Sequence, residues 1–454
     1  MSSLISRELN IYDTAVVALR KAMQKGVDEA EVFIVKTKSI NTDINNNRIT
    51  GSYMVTETGV GIRVVVGKRI GFASTNKIDI NSLEKTIEQA ISIARASEPD
   101  EHWPGFPQPA DYKIPEKIYN PELARVSEET IIEKTKLMLE KFLEDKRIVV
   151  VWGSLSVGVS TVAIANSNGV ANVEHATTAV IGAGIVARTG SDVTPVVYDY
   201  NLSRVSLPPI EPLVEKLKDL AVNSLKPIKI EQKKMPVILY PIAVDELLSY
   251  TLAEAISGDN VVRGRSILAG KVGQQVFSEK LTIIDNGLLK HGWYTGIFDG
   301  EGVPMQETIV IEKGVVKNFL FDTYWAARYG GESTGNAGRQ GYRSTPAITP
   351  TNLVIKPGDM SSHEIIAETK QGLLVYGLQG AHSSNPETGE FSAVATPAWY
   401  IENGVLKPVR GVMISGNIYE CLKKLEYISK DYEQKGHWVA PYIRLEEVNV
   451  IPRC

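Results

Sequence analysis

Beyond Pro236 the chain is punctuated by glycine. Short apolar runs alternate with Gly-containing turns such as EKGVV (312–316) and ENGVL (402–406), a pattern that reads as strands joined by tight turns. One amphipathic segment, about Pro241 to Ser257, interrupts it as a helix. Further short helices are expected over Ser361–Lys370 and Gly416–Ser429. Four longer stretches (257–287, 298–315, 333–359 and 372–392) carry polar residues flanked by glycine. Their recurrence suggests loops gathered around one cleft; the turns of a barrel-like β-domain are the competing reading.

The N-terminal part has a different grammar. Asn10 to Lys25 predicts a helix capped by Asn10 and stopped at Gly26. Strands joined by Asn- and Gly-rich turns follow, and Asn81 with Glu84 has capping-box spacing before a periodic run from Leu83 to Ala94. A proline-rich connector (97–122) reads as an extended surface segment. A helix from about Ser127 to Asp145 then leads into a meander with an Asn168-Gly169 hairpin turn. The basic stretch LKPIKIEQKKMP (225–236) marks the domain boundary, its lysines those of a solvated linker. The expected architecture is α+β. Residues 1–230 form a mixed α/β domain with an antiparallel sheet, and residues 231–454 a β-rich, barrel-like domain.

Composition excludes several functions. With 43% hydrophobic and 22% charged residues in 454, the chain reads as globular. A net charge of −4 gives no footprint for nucleic acid, no apolar run reaches membrane-span length, and no signal peptide is visible; the cytoplasm is the expected location. The only cysteines, Cys421 and Cys454, exclude a disulfide framework. None of the six histidines pairs with another at the four-residue spacing of a helical zinc site. GIRVVVGKR (61–69) lacks the spacing and the Ser/Thr of a phosphate loop and reads as a hairpin. HEIIAE (363–368) is half a zinc motif behind a capping serine.

On a helical wheel, Val244, Leu247, Leu248, Leu252, Ala255 and Ile256 form one apolar arc, and Asp245, Glu246, Ser249, Tyr250 and Glu254 form the other. The polar arc is either a solvated face or one lining a cleft, where its carboxylates suit a hard cation or acid–base work.

SGDNVVRGRSILAGKVGQQVFSEKLTIIDNG, FDGEGVPMQETIVIEKGVVKNFLFDTYWAARYG, STGNAGRQGYR, TNLVIKPGD and TGEFS, in this order and spacing, resemble the TldD/PmbA family, historically labelled modulators of DNA gyrase, and most closely its PmbA (TldE) branch. The resemblance spans essentially the whole chain. It implies an α/β domain followed by a β-barrel-like domain, a dimer, and a metallopeptidase in which a TldD-type subunit pairs with a PmbA-type one to cleave unfolded or small peptides. TldD-type chains carry HExxxH on a helix before a Gly-Asp turn, with a further cysteine ligand near the C-terminus. Read back from Gly258-Asp259, the His, Glu and His positions fall here on Ser249, Tyr250 and Glu254. Neither Cys421 nor Cys454 matches the ligand cysteine. The resemblance therefore implies a chain without bound metal, with zinc residing in a TldD-type partner. Arg339, Arg343, Asn352 and His382 are its candidate peptide- or partner-contacting residues. Two other readings stand beside it: a self-sufficient homodimeric peptidase holding a metal through Asp245, Glu246 and Glu254, and a non-enzymatic regulator of the gyrase-modulator type.

Overall fold

The structure, a computed structural model, describes residues 10–452. Its N-terminal part runs α1 (Ile11–Gln24), β1 (Glu29–Asn45), β2 (Arg48–Val66), β3 (Arg69–Thr75) and α2 (Ile80–Ala96). After the connector come α3 (Glu128–Leu143), β4 (Ile148–Asn166), β5 (Ala171–Thr189), β6 (Asp192–Val193), β7 (Val197–Ser203) and α4 (Ile210–Val222). Apart from the two-residue β6, the same order therefore occurs twice: a helix, two long hairpin strands, a seven-residue strand and a helix. β1 and β4 join the repeats, pairing antiparallel from Glu31–Asn166 to Asn45–Trp152 in a seven-stranded sheet.

Alternation decides what covers this sheet. Val32, Ile34, Ile40 and Ile44 of β1 share one face. The first two pack under α1 and α2, the last two under α3 and α4. Burial of each such side chain is worth about 2 kcal/mol, so both helix pairs dock along one sheet face. Asn10 caps α1 as expected. The cap of α2 is Asp79, accepting the Ser82 N–H, rather than Asn81. An aspartate two residues upstream wins because the helix starts one turn earlier than the periodicity marks.

The C-terminal part begins with β8 (Lys233–Leu239), α5 (Pro241–Leu248), α6 (Leu252–Ala255) and α7 (Gly258–Val262). There follow β9 (Ile283–Asn286), β10 (Glu307–Glu312), β11 (Val315–Val316), α8 (Thr323–Tyr329), β12 (Ala337–Gly338), β13 (Ala347–Ile348), β14 (Leu353–Ile355) and α9 (Ser362–Glu368). The chain then forms β15 (Gln371–Val375), β16 (Leu378–Gln379), β17 (Glu390–Ala395), β18 (Ala398–Glu402), β19 (Val405–Val409) and β20 (Val412–Asn417). It closes with α10 (Ile418–Lys423), β21 (Leu425–Lys435) and β22 (Trp438–Pro452).

Thirteen of these strands make one mixed, branched sheet, ordered β11-β10-β9-β14-β22-β8-β15-β18-β19, with β16, β17, β20 and β21 branching off. The β-rich domain expected to be barrel-like is one large mixed sheet, and among the described residues its path ends at β11 and β19 without closing. The long β22 is the hub, pairing with β14, β8, β20 and β21. The apolar side of α5–α7 packs into the same core as the inner faces of these strands. The expected helix over 416–429 is only α10, because Leu425 onward pairs with β22.

Two buried charge networks bolt the sheets together. In one, Glu31 of β1 meets Arg63 of β2 at 2.9 Å and also Arg339, while Arg63 reaches Glu301 at 3.1 Å. In the other, Asp199 of β7 meets Lys435 and Lys216, and Lys216 reaches Glu433 at 2.9 Å. Among the described residues no helix is long and apolar enough to cross a membrane.

Candidate functional site

The segment expected as one helix from Pro241 to Ser257 is two short helices, α5 and α6, with α7 following from Gly258. α5 stops at Leu248, and Thr251 leaves helical geometry at φ −132°, ψ −81°. The cause is local. The buried Thr251 hydroxyl donates to the Leu247 carbonyl at 2.7 Å, a back-bond that bends helices. A single wheel therefore fails beyond Ser249, and the polar arc is dispersed. Ser249 donates its hydroxyl hydrogen to Asp245 at 3.1 Å and accepts the Trp438 indole N–H at 3.2 Å. Tyr250 turns outward, 47% exposed, with its ring edge-on to His382 at 6.3 Å. Glu254 accepts from Asn260 Nδ2 at 3.1 Å.

Zinc does not fit this set. A neutral hydroxyl held by an indole, a surface phenol and one exposed carboxylate are poor donors for it. The oxygen-ligand alternative is also taken apart. Glu246 accepts from the Tyr198 hydroxyl and the Leu378 N–H, whereas Asp245 faces Ser249. Among the described residues no three His, Cys, Asp or Glu side chains form a metal-binding group.

Ser249 and Glu254 nonetheless line a cleft. A cavity of about 490 Å3 lies among Ser249, Ala253, Glu254, Asp259, Asp322 and the segment Pro346–Pro350. A second, of about 610 Å3, lies beside β12, Tyr294 and Asp299. Ala347, Thr349, Pro350 and His437 border both, so the β13 segment divides one depression into two chambers. Gly258 lets α7 close against this region: a Cβ there would sit 2.1 Å from the Phe321 ring.

His437 was the residue that sequence reasoning missed. Its ring stacks on Tyr294 at 3.8 Å and 16°, and its Nδ1 lies 3.1 Å from the Thr351 carbonyl. Burial pushes its pKa down, against the pull of backbone carbonyls, which favours neutral imidazole at the junction of the chambers. A histidine alone in a β-rich stretch carried no spacing signal; only the adjoining apolar run hinted at burial.

The carboxyls around α5 are held high. Burial, opposed by the Ser249 bond and Lys435, pushes Asp245 up to about 6. Burial, opposed by Tyr198 and the Leu378 N–H, pushes Glu246 up to about 7. Asp322, which caps α8 by accepting the Trp325 N–H at 2.8 Å, is also pushed up to about 7, by burial and then by Glu301. These groups can carry protons near neutrality.

The remaining predicted residues scatter. Arg339 borders the second chamber, but its guanidinium donates to the Gly300 and Ser344 carbonyls, at 2.7 and 3.1 Å, and to Glu31. It works as a bolt between sheets. Asn352 is fully buried, accepting from Tyr294 and Gln434 and donating to Asn286 and Thr295; its amide is committed to the fold. Arg343 is exposed, bonding the Tyr342 hydroxyl and reaching Glu57 at 3.5 Å. His382 lies on the surface with Tyr250. Cys421 is buried, its thiol pushed up to about 11 by burial and then Glu420; Cys454 lies outside the described residues. Glu364 of the half zinc motif closes a capping box with Ser361.

Comparison with known proteins settles the lineage. Residues 30–94 match the PmbA/TldA metallopeptidase domain 1, residues 121–225 the central domain and residues 232–452 the C-terminal domain of the same family. The chain belongs to the PmbA/TldD family. The domain 1 match falls within the first repeat of the N-terminal sheet, beginning after α1, and the central-domain match spans the second. An uncharacterized protein of Methanocaldococcus jannaschii is 34% identical over 430 residues, covering 94% of this chain and 97% of its own. A metalloprotease PmbA homolog of Buchnera aphidicola is 26% identical over 454 residues, covering 98% of each. In structure, TldE from Thermococcus kodakarensis superposes with a TM-score of 0.92 at 33% identity, over 96% of this chain and 100% of that one. PmbA/TldD relatives bear metalloprotease names, and the TldE likeness spans nearly the whole chain.

Proposed function

We propose that this chain is the non-catalytic, TldE-like subunit of a PmbA/TldD-type metallopeptidase acting on unfolded or small peptides. A TldD-type partner would hold the zinc, and this chain would complete the path to it as a heterodimer. The observation that carries this reading is the state of the motif positions. Ser249 is tied to Trp438 and Asp245, Tyr250 faces outward and Glu254 bonds Asn260, an arrangement without the imidazoles that zinc peptidases use. The likeness to TldE of Thermococcus kodakarensis supports the same branch. The test is reconstitution with the TldD-type chain of the same organism, carrying an intact HExxxH. Co-elution and peptide hydrolysis dependent on both chains are expected; two chains that elute apart and hydrolyse no faster together would overturn the reading.

A further inference from the structure

Two glycines, Gly59 and Gly61, stand inside β2, where glycine weakens a strand and marks the close approach of another group. Glu57, Gly59, Gly61 and Arg63 alternate onto one face of the sheet. Val60 and Ile62 take the other face, under α1 and α2. The group that approaches the glycines is Tyr342. A Cβ on Gly59 would lie 2.3 Å from its ring, and one on Gly61 would lie 2.5 Å from its carbonyl oxygen. The glycines form a seat for one buried aromatic side chain and the backbone that carries it.

Tyr342 sits at the tip of the arm between β12 and β13, which pair over two residues only. Gly341, at φ +121°, bends this tip. Among the described residues, the hydrogen bonds and ion pairs of residues 340–346 stay within the arm and its root at Arg339, apart from Arg343 reaching Glu57 at 3.5 Å. Arg343 also donates twice to the Tyr342 hydroxyl, at 2.9 and 2.7 Å. Glu57 therefore steadies the residue that grips the seated ring. Gln340, Ser344 and Thr345 line the second chamber, and Pro346 borders the first. The tip is thus contributed by the C-terminal part, walls its cavity, and is held by the N-terminal sheet.

We infer that residues 340–346 are a lid on the second chamber, rooted at Arg339 and β13 and latched by the Tyr342 ring on Gly59 and Gly61. Unseating the ring breaks a side-chain contact and no strand pairing, so the lid lifts while both sheets stay whole. Tyr342 is a positioning residue: it acts on the chamber through the segment it holds down. Gly59 and Gly61 are required by the latch and not by the strand they interrupt. The lid belongs to this chain alone and stands whether this chain or a partner cleaves peptides.

The experiment uses the full chain and follows trypsin cleavage after Arg343 under native conditions, with every cut mapped by mass spectrometry. Tyr342→Ala empties the seat from the lid side. Gly59→Val fills it from the sheet side, with a residue that strands favour. Proteolysis follows the population of the opened segment, so both variants should speed cleavage after Arg343 by at least about tenfold. Cuts elsewhere and the cooperative melting transition should stay as in wild type. Tyr342→Phe keeps the ring and should be cleaved close to the wild-type rate. Unchanged cleavage after Arg343 in Tyr342→Ala would overturn the proposal. So would cuts that accelerate throughout the chain in that variant, which would make the seat part of the global fold and the lid no separate unit. Should Gly59→Val fail to fold, Tyr342→Ala, which leaves β2 untouched, decides alone.

Discussion

The indole N–H of Trp438 donates to the hydroxyl of Ser249 at 3.2 Å. The side chain at the first ligand position of the family motif is thereby a bonding partner of a fully buried tryptophan at the start of β22. Ser249 serves the fold. Ser249→Ala is expected to leave that N–H unsatisfied and cost about 1–2 kcal/mol of stability, read by urea unfolding. Hydrolysis by the reconstituted pair should stay within about twofold of wild type, a ratio smaller than the tenfold that 1.4 kcal/mol represents. A large loss of kcat with intact stability would place Ser249 in the chemistry.

Arg339 joins Glu31 while Arg63 joins both Glu31 and Glu301. Burial drives Glu31 up, but Arg339 and then Arg63 outweigh it and hold the carboxylate ionised. Removing one partner of such a network leaves a buried charge uncompensated, at about 3–5 kcal/mol. Arg339→Ala should therefore lower the unfolding midpoint sharply. Unchanged stability with a raised peptide KM would return Arg339 to the binding surface.

Glu246 gives the fold a pH dependence. Its carboxyl moves from 4.5 to about 7 on folding, chiefly through burial, so between those values the folded chain holds a proton that the unfolded chain has released. Stability falls as pH rises through this window and levels off above it. Glu246→Gln keeps a carbonyl oxygen to accept the Leu378 N–H and, in place of the carboxylate oxygen that accepts from Tyr198, offers an amide that donates to the Tyr198 hydroxyl oxygen. It should match wild type near pH 5 and exceed it by about 2–3 kcal/mol at pH 8, measured by chemical denaturation at both pH values. A variant less stable than wild type at pH 8 would contradict this.

Gly258→Ala tests why the Gly-Asp turn needs glycine. The added Cβ would meet the Phe321 ring at 2.1 Å and the Leu320 carbonyl oxygen at 2.7 Å, while the Gly258 N–H is bonded to that same oxygen at 2.8 Å. The backbone has no direction in which to yield. A loss of at least about 2 kcal/mol is expected, seen as a lowered melting temperature; a neutral substitution would show that α7 shifts freely.

Much of this architecture was legible in the sequence because local chemistry and tertiary demand agree there. Asn10, Ser127 and Ser361 cap helices, and the Asn168-Gly169 turn joins β4 to β5. Legibility failed where long-range partners overrode local pattern. Thr251 breaks the α5 wheel through a bond to Leu247, and Leu425 joins β22 in place of extending α10. The site was half legible. Register to Gly258-Asp259 brought Ser249 and Glu254 to one cleft. Arg339 and Asn352, flexible and polar on paper, bury their donors against residues from distant segments such as Glu31 and Gln434. His437 was invisible because its partners, Tyr294 and Thr351, are distant in sequence.

The most direct measurement is zinc content and peptide hydrolysis, determined for the purified chain alone and for the chain with its TldD-type partner. Zinc well below one equivalent and no chelator-sensitive cleavage alone, with both gained in the pair, is the predicted result. Stoichiometric zinc and chelator-sensitive hydrolysis by the lone chain would contradict it.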